Sequence, residues 1–184
     1  EDGALNPDFA NNGIASLDLI PGNDKFERAF SSFIKEDKSI FIGGNFNGFG
    51  VAHLLLNGTL DPDFGINGVS TANLNGSQYN LAQGVTCVPQ ADGKIIITGL
   101  LIDGNNDDFG IVRFKKNGAL DTSFGNNGWV TTDITGTQDW CFSSVIQADK
   151  KLLLSGYSIG NQKIDILLAR YNLQFDSIIP TVDT

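Results

Sequence analysis

Leu60-Asp-Pro-Asp-Phe64-Gly-Ile-Asn-Gly68-Val69 decides the fold, because the chain writes it three times. Before it comes Leu5-Asn-Pro-Asp-Phe9-Ala-Asn-Asn-Gly13-Ile14. After it comes Leu120-Asp-Thr-Ser-Phe124-Gly-Asn-Asn-Gly128-Trp129, at spacings of 55 and 60 residues. A second block follows each copy: Phe30-Ser-Ser-Phe-Ile-Lys-Glu-Asp37, Val85-Thr-Cys-Val-Pro-Gln-Ala-Asp92 and Phe142-Ser-Ser-Val-Ile-Gln-Ala-Asp149. A third block closes each unit: Phe49-Gly-Val-Ala-His53-Leu54, Phe109-Gly-Ile-Val-Arg113-Phe114 and Ile166-Leu-Leu-Ala-Arg170-Tyr171. Self-similarity at this period marks a repeat architecture.

Each block reads as a strand. Asp92-Gly93 is a two-residue hairpin signal, since Gly supplies positive φ, and Asp37-Lys38 and Asp149-Lys150 hold the same turn without Gly. The apolar runs that follow, such as Lys94-Ile-Ile-Ile-Thr-Gly99, have the length of buried strands rather than helices. Asn57-Gly58 and Asn117-Gly118 mark a further tight turn. A fourth strand follows the Phe-Gly motif, at Ile14-Ala-Ser-Leu-Asp-Leu19, Val69-Ser-Thr-Ala-Asn-Leu74 and Trp129-Val-Thr-Thr-Asp-Ile134. The expected fold is all-β and β-propeller-like: three tandem blades of about four antiparallel strands each, near 14–60, 69–120 and 129–178. Gly43-Gly44 and similar pairs read as turn glycines.

Composition agrees. Of 184 residues, 41% are hydrophobic, enough for a core, while 22 Gly and only 18% charged residues suit short strands and turns. A net charge of −9, with 12 bases against 21 acids, argues against nucleic-acid and anionic-membrane partners. No run of about 18 apolar residues exists, so no membrane insertion is expected. The chain opens at Glu1 and contains no Met, which reads as a processed protein or a portion of a longer one. Cys87 and Cys141 fit no metal motif and occupy different repeat positions; buried free thiols are the expectation and a bridge between units the alternative.

Taken together, Leu120-Asp-Thr-Ser-Phe-Gly-Asn-Asn-Gly-Trp-Val130, Gln90-Ala-Asp-Gly-Lys-Ile95 and Ile166-Leu-Leu-Ala-Arg-Tyr171 resemble the delta-60 repeat, a bacterial β-propeller-like repeat. The likeness covers nearly the whole chain. His53 stands where that family favours Arg, and Ala10 where its Phe-Gly motif wants Gly. The resemblance implies a secreted or cell-surface propeller module, hence an extracellular location, and implies no shared catalytic residues. It speaks to fold more than to function.

Candidate chemistry is sparse. Asn6, Asp8, Asp61, Asp63 and Asp121 offer oxygens for calcium, but such side chains also cap turns; capping is the expectation, with no cofactor and calcium as the alternative. Arg113 is expected to pair with Asp121. His53, the only histidine, occupies an Arg position and reads as its structural substitute. Nucleophile elbows, phosphate loops and histidine clusters are absent from the sequence.

Function is sought where the copies disagree. Just before the second block stand Glu27-Arg28, Ala82-Gln83 and Asp139-Trp140. If that block is the innermost strand, these residues ring the mouth of a channel, where propellers bind ligands. Arg28, Gln83, Asp139 and Trp140, with Tyr79 in a preceding loop, are the candidate ligand-binding residues, Trp140 and Tyr79 being suited to stacking on a glycan or peptide; packing of Trp140 between blades is the alternative. The loops at Asn45-Phe-Asn47, Asp103–Asp108 and Ser158–Gln162 form a second candidate contact surface. Three blades do not close a ring, which takes about four. The expectation is a non-catalytic recognition, scaffold or self-assembly module, present as a homo-oligomer or filament or continued by further repeats. The alternative is a carbohydrate-active lyase or hydrolase using Glu27 and Asp139.

Overall fold

The computed structural model describes residues 3–22, 27–72, 81–102, 106–160 and 163–173, and within them the regular structure is β throughout. The first sheet contains β1 (Glu27–Ile34), β2 (Ile40–Phe46), β3 (Phe49–Leu54) and β4 (Val69–Ala72). The second contains β5 (Leu81–Pro89), β6 (Ile95–Ile102), β7 (Asp107–Phe114) and β8 (Trp129–Thr132). The third contains β9 (Gln138–Ile146), β10 (Lys151–Gly160) and β11 (Lys163–Asn172). Each sheet is an antiparallel meander in chain order, as blades of a propeller are. Its first strands are neighbours across the stack, since β5 touches both β1 and β9.

One grouping differs from the sequence reading. The strand after the Phe-Gly motif, assigned there to the following unit, hydrogen-bonds back to the preceding third strand: Ala52 faces Val69, and Val112 faces Trp129. The Leu-Asp loop produces this return. In all three copies the Phe N–H bonds the carbonyl three residues back and the Gly N–H bonds the Phe carbonyl, as in Phe64 to Asp61 and Gly68 to Phe64. Gly65 and Gly125 take φ of +56° and +54° there, and Ala10 is held at +46° in the first copy.

The turn between the first and second strands also differs from expectation. It is a three-residue loop rather than a two-residue one: Lys35, Gln90 and Gln147 donate N–H to the carbonyls of Ser39, Lys94 and Lys151. Lys38, Gly93 and Lys150 occupy its left-handed position, the arrangement of a type I turn followed by a bulge. Asp37, Asp92 and Asp149 recur because each accepts the N–H two residues on, at 2.9, 3.2 and 3.4 Å.

Gly43-Gly44, read as turn glycines, lie inside β2. The cause is a bulge repeated in every first strand, where the register skips between Ala29 and Ser31, between Gly84 and Thr86, and opposite Ser155/Gly156. There the carbonyl of Arg28, Gln83 or Trp140 turns toward the second strand. A Cβ on Gly44, Gly99 or Gly156 would lie 1.9, 1.9 or 1.8 Å from that oxygen. Only glycine leaves room for the bulge.

The sheets stack face to face. Phe41, Phe49 and Val51 of the first bury against Cys87, Ile95, Ile97 and Phe114 of the second. On its other side the second sheet presents Ile96, Leu100, Phe109 and Ile111 to Cys141, Leu152 and Leu154 of the third. Thr98 Oγ1 on β6 lies 2.6 Å from Thr86 Oγ1 on β5 and donates to Ser144 Oγ on β9 at 3.0 Å, joining the second and third sheets. Cys87 and Cys141 are buried free thiols, each pushed up by burial, Cys141 to about 11.

One buried ionic cluster ties the second unit. Arg113 Nε donates to Asp121 Oδ2 at 2.8 Å, and Lys94 Nζ lies 3.2 Å from the same oxygen, all three side chains nearly inaccessible. Burial alone would raise the Asp121 carboxyl. The Ser123 hydroxyl, Lys94 and Arg113 outweigh that and hold it down to about 2. In the first unit His53 Nδ1 and Asp61 Oδ2 make the corresponding pair at 2.8 Å, the ring stacked on Phe41 at 4.1 Å.

Two outcomes are expected. Gly99→Ala should lower unfolding stability by roughly 1–3 kcal/mol through overpacking at the bulge, measured by chemical denaturation; an unchanged midpoint would contradict the close approach. Asp121→Asn should cost about 3–5 kcal/mol at neutral pH by leaving two cations buried without their anion. Because the folded carboxyl titrates below its unfolded value, its contribution is present above about pH 4 and lost as pH falls toward 2. The variant's stability should therefore fall less steeply than the native protein's across that window; parallel profiles would contradict the assignment.

Candidate functional site

The third sheet is unlike the other two in both its face and its edge. Side chains alternate across β11, so Leu167, Ala169 and Tyr171 turn toward the second sheet while Ile164, Ile166, Leu168 and Arg170 turn away from it. Aligning the repeats shows what the outward residues correspond to. Ile166 matches Phe49 and Phe109, and Leu168 matches Val51 and Ile111. Phe49 and Phe109 are 0% exposed because the next sheet covers them; Ile166 is 86% exposed. Val51 and Ile111 are 0% and 1% exposed; Leu168 is 67% exposed. Ile164 and Val145 are also exposed, and Arg170, the counterpart of buried Arg113, lies open.

The edge is open as well. In the first two sheets a fourth strand lies beside β3 and β7, whereas β11 borders none among the described residues. At the opposite end of the stack the first sheet has its outer face covered. Leu17, Leu19 and Ile20 of the N-terminal segment pack on Phe46, Ala52, Leu54 and Val69.

The residues singled out from the sequence do not converge on one pocket. Arg28 on β1 is exposed, Gln83 on β5 and Trp140 on β9 are half-buried, and Asp139 is wholly buried. Arg28, Gln83 and Trp140 share one repeat position at the bulge, through the carbonyl that glycine accommodates, and Asp139 stands one residue before it at the position of Glu27. Tyr79 and the loop residues 103–105 and 161–162 lie outside the described residues. Trp140 Nε1 donates to Asp107 Oδ2 of the second sheet at 3.0 Å, and the ring stacks on Tyr157 at 5.7 Å. Trp140, Tyr157 and Ile166 stand opposite one another across β9, β10 and β11.

The carboxylates proposed for catalysis have backbone partners. Glu27 Oε2 accepts the Leu19 N–H at 3.0 Å, and Asp139 Oδ2 accepts those of Ile134 and Thr135 at 2.6 and 3.1 Å. Leu19 and Ile134 hold the same repeat position, so the two acids perform one bracing task in two copies. Of the calcium candidates, Asn6, Asp61 and Asp121 each accept the N–H two residues on, at 3.0, 3.0 and 3.4 Å. A separate group, Asp108, Asp133 and Asp139, brings three carboxylates within 4.8 Å. Its members are engaged by Asn106, Thr131, Thr135 and the loop amides.

Sequence reasoning did not single out the exposed Ile164, Ile166 and Leu168 as candidate site residues. Their alternation was visible, but a buried and an open face carry the same pattern.

Comparison with known proteins agrees with the architecture. The model described as a domain of unknown function (DUF5122) beta-propeller matches residues 35–64 and 90–124. No curated protein matches the chain. The matched segments carry the hairpin from the first to the second strand and the Leu-Asp loop, and the chain is similar to that beta-propeller family over these two stretches.

Proposed function

We propose that this chain is a non-catalytic β-propeller module, secreted or displayed at a cell surface, that works by self-assembly through its open end. One observation carries the reading: at positions where two earlier copies bury Phe49, Val51, Phe109 and Ile111, the third presents Ile166 and Leu168 to solvent. Covering each of those side chains is worth roughly 1.5–3 kcal/mol. Scattered surface hydrophobes need no explanation, but a contiguous row of them with an open strand edge marks an interaction surface.

The bracing roles of Glu27 and Asp139 support the non-catalytic side of the proposal, since each is spent on backbone amides of its own fold. Among the described mouth residues Arg28 alone is exposed, which supports it as the candidate ligand contact there.

Light scattering across a concentration series tests the proposal. The native chain should exceed its single-chain mass of 19.7 kDa, and Ile166→Asp should return it toward that mass. A native protein that stays at the single-chain mass throughout would overturn it.

A further inference from the structure

Among the described residues the third sheet has no fourth strand, and the N-terminal segment carries the sequence of one. After β3 and β7 the chain runs through a Leu-Asp loop into a fourth strand that pairs with the third. Residues 5–19 are such a loop and fourth-strand sequence, Leu5-Asn-Pro-Asp-Phe9 followed by Ile14-Ala-Ser-Leu-Asp-Leu19, and among the described residues no third strand precedes them. The loop is already folded as in the other copies, with Phe9 N–H on the Asn6 carbonyl and Gly13 N–H on the Phe9 carbonyl. Residues 15–18 nevertheless belong to no strand.

We propose that a second copy of this chain docks head to tail on the third sheet and adds its residues 14–17 to the open edge of β11. This rests on the self-assembly reading above and names its geometry. The registers of the first two sheets fix the pairing. Val69 faces Ala52 and Trp129 faces Val112, while Ala72 faces Phe49 and Thr132 faces Phe109. Carried to the third sheet, Ile14 faces Ala169, Ala15 faces Leu168, Ser16 faces Leu167 and Leu17 faces Ile166.

Three further observations converge on the same occupant. Leu17 already packs on the first sheet, so the donor segment presents its edge without leaving its place. The first sheet's outer face uses Ile40, Ile42 and Leu54, the repeat counterparts of Ile95, Ile97 and Phe114, which cover the first sheet's other face in the interface already formed. Head-to-tail docking therefore repeats an interface this chain makes twice internally. It also brings Asn6 and Asp8 to Arg170, as Asp121 and Ser123 accompany Arg113. The same molecule cannot supply the strand, because its own segment lies beyond the first sheet and the second sheet stands between. A head-to-tail contact is heterologous, so it closes a ring or extends a filament.

Cysteine cross-linking tests the register in the full chain, with Cys87 and Cys141 buried and out of reach. Ala15→Cys mixed with Leu168→Cys should give a covalent dimer on mild oxidation. Ser16→Cys with Leu168→Cys should give roughly tenfold less, since a one-residue slip turns the side chain to the other face. Equal yields, or none, from a native chain that self-associates would overturn strand addition and leave the assembly reading standing. Cross-linking of the Ala15→Cys/Leu168→Cys double variant within single chains would overturn the second-copy occupant. A native chain of single-chain mass at every concentration would overturn both, leaving the face for a different partner.

Discussion

A small antiparallel sheet with apolar side chains on both faces has no means of burying either one by itself, and every major feature of this protein follows from that constraint. The second sheet satisfies it fully, with Ile95 and Ile97 packed on one side and Ile96, Phe109 and Ile111 on the other. The first satisfies it with the second sheet on one face and a borrowed segment, Leu17 to Ile20, on the other. The third satisfies it once, through Leu152 and Leu154, and leaves its far face to solvent.

Stacking of this kind brings inner strands close, and the recurring bulge with its glycine is how the backbone accommodates the approach. Beyond Gly44, Gly99 and Gly156, Gly43 shows the tightness directly: a Cβ there would lie 2.4 Å from the Cβ of Cys87 in the next sheet. The polar residues that repeat serve the loops rather than chemistry. Asp37, Asp92 and Asp149 cap one turn, Asn57 and Asn117 another, and Glu27 and Asp139 brace the segments that lead into β1 and β9. Where the copies diverge, the environment differs too: His53 replaces Arg113 and stacks on Phe41, and it meets Phe64 edge-on where the Arg113 guanidinium lies over Phe124.

The all-β class, the three units and most strands were legible because each is set by local pattern: apolar runs of strand length, Asx-Gly turns and a loop motif copied three times. The Arg113–Asp121 pair was legible from its recurrence in a spacing that a returning loop can close. Gly44 was misread because turns and bulges demand the same residue, and only the partner strand's carbonyl distinguishes them. The turn at Asp92-Gly93 was shortened because the capping Asp and the left-handed Gly are common to two- and three-residue loops. The strand at Val69 was grouped forward because chain order does not reveal which edge a short strand joins. The open face of β11 was illegible for a different reason. Ile166 and Leu168 have the residue types of Phe109 and Ile111, and exposure depends on a neighbour that no local pattern encodes.

The most direct test of the central claim, that the third sheet's outer face and edge form an interface, is amide hydrogen exchange across β11 as a function of protein concentration. If the face is an interface, backbone amides of Ile164–Leu168 become more protected as concentration rises, while those of β6, covered on both faces, stay unchanged. Exchange across β11 that is identical at all concentrations would contradict it.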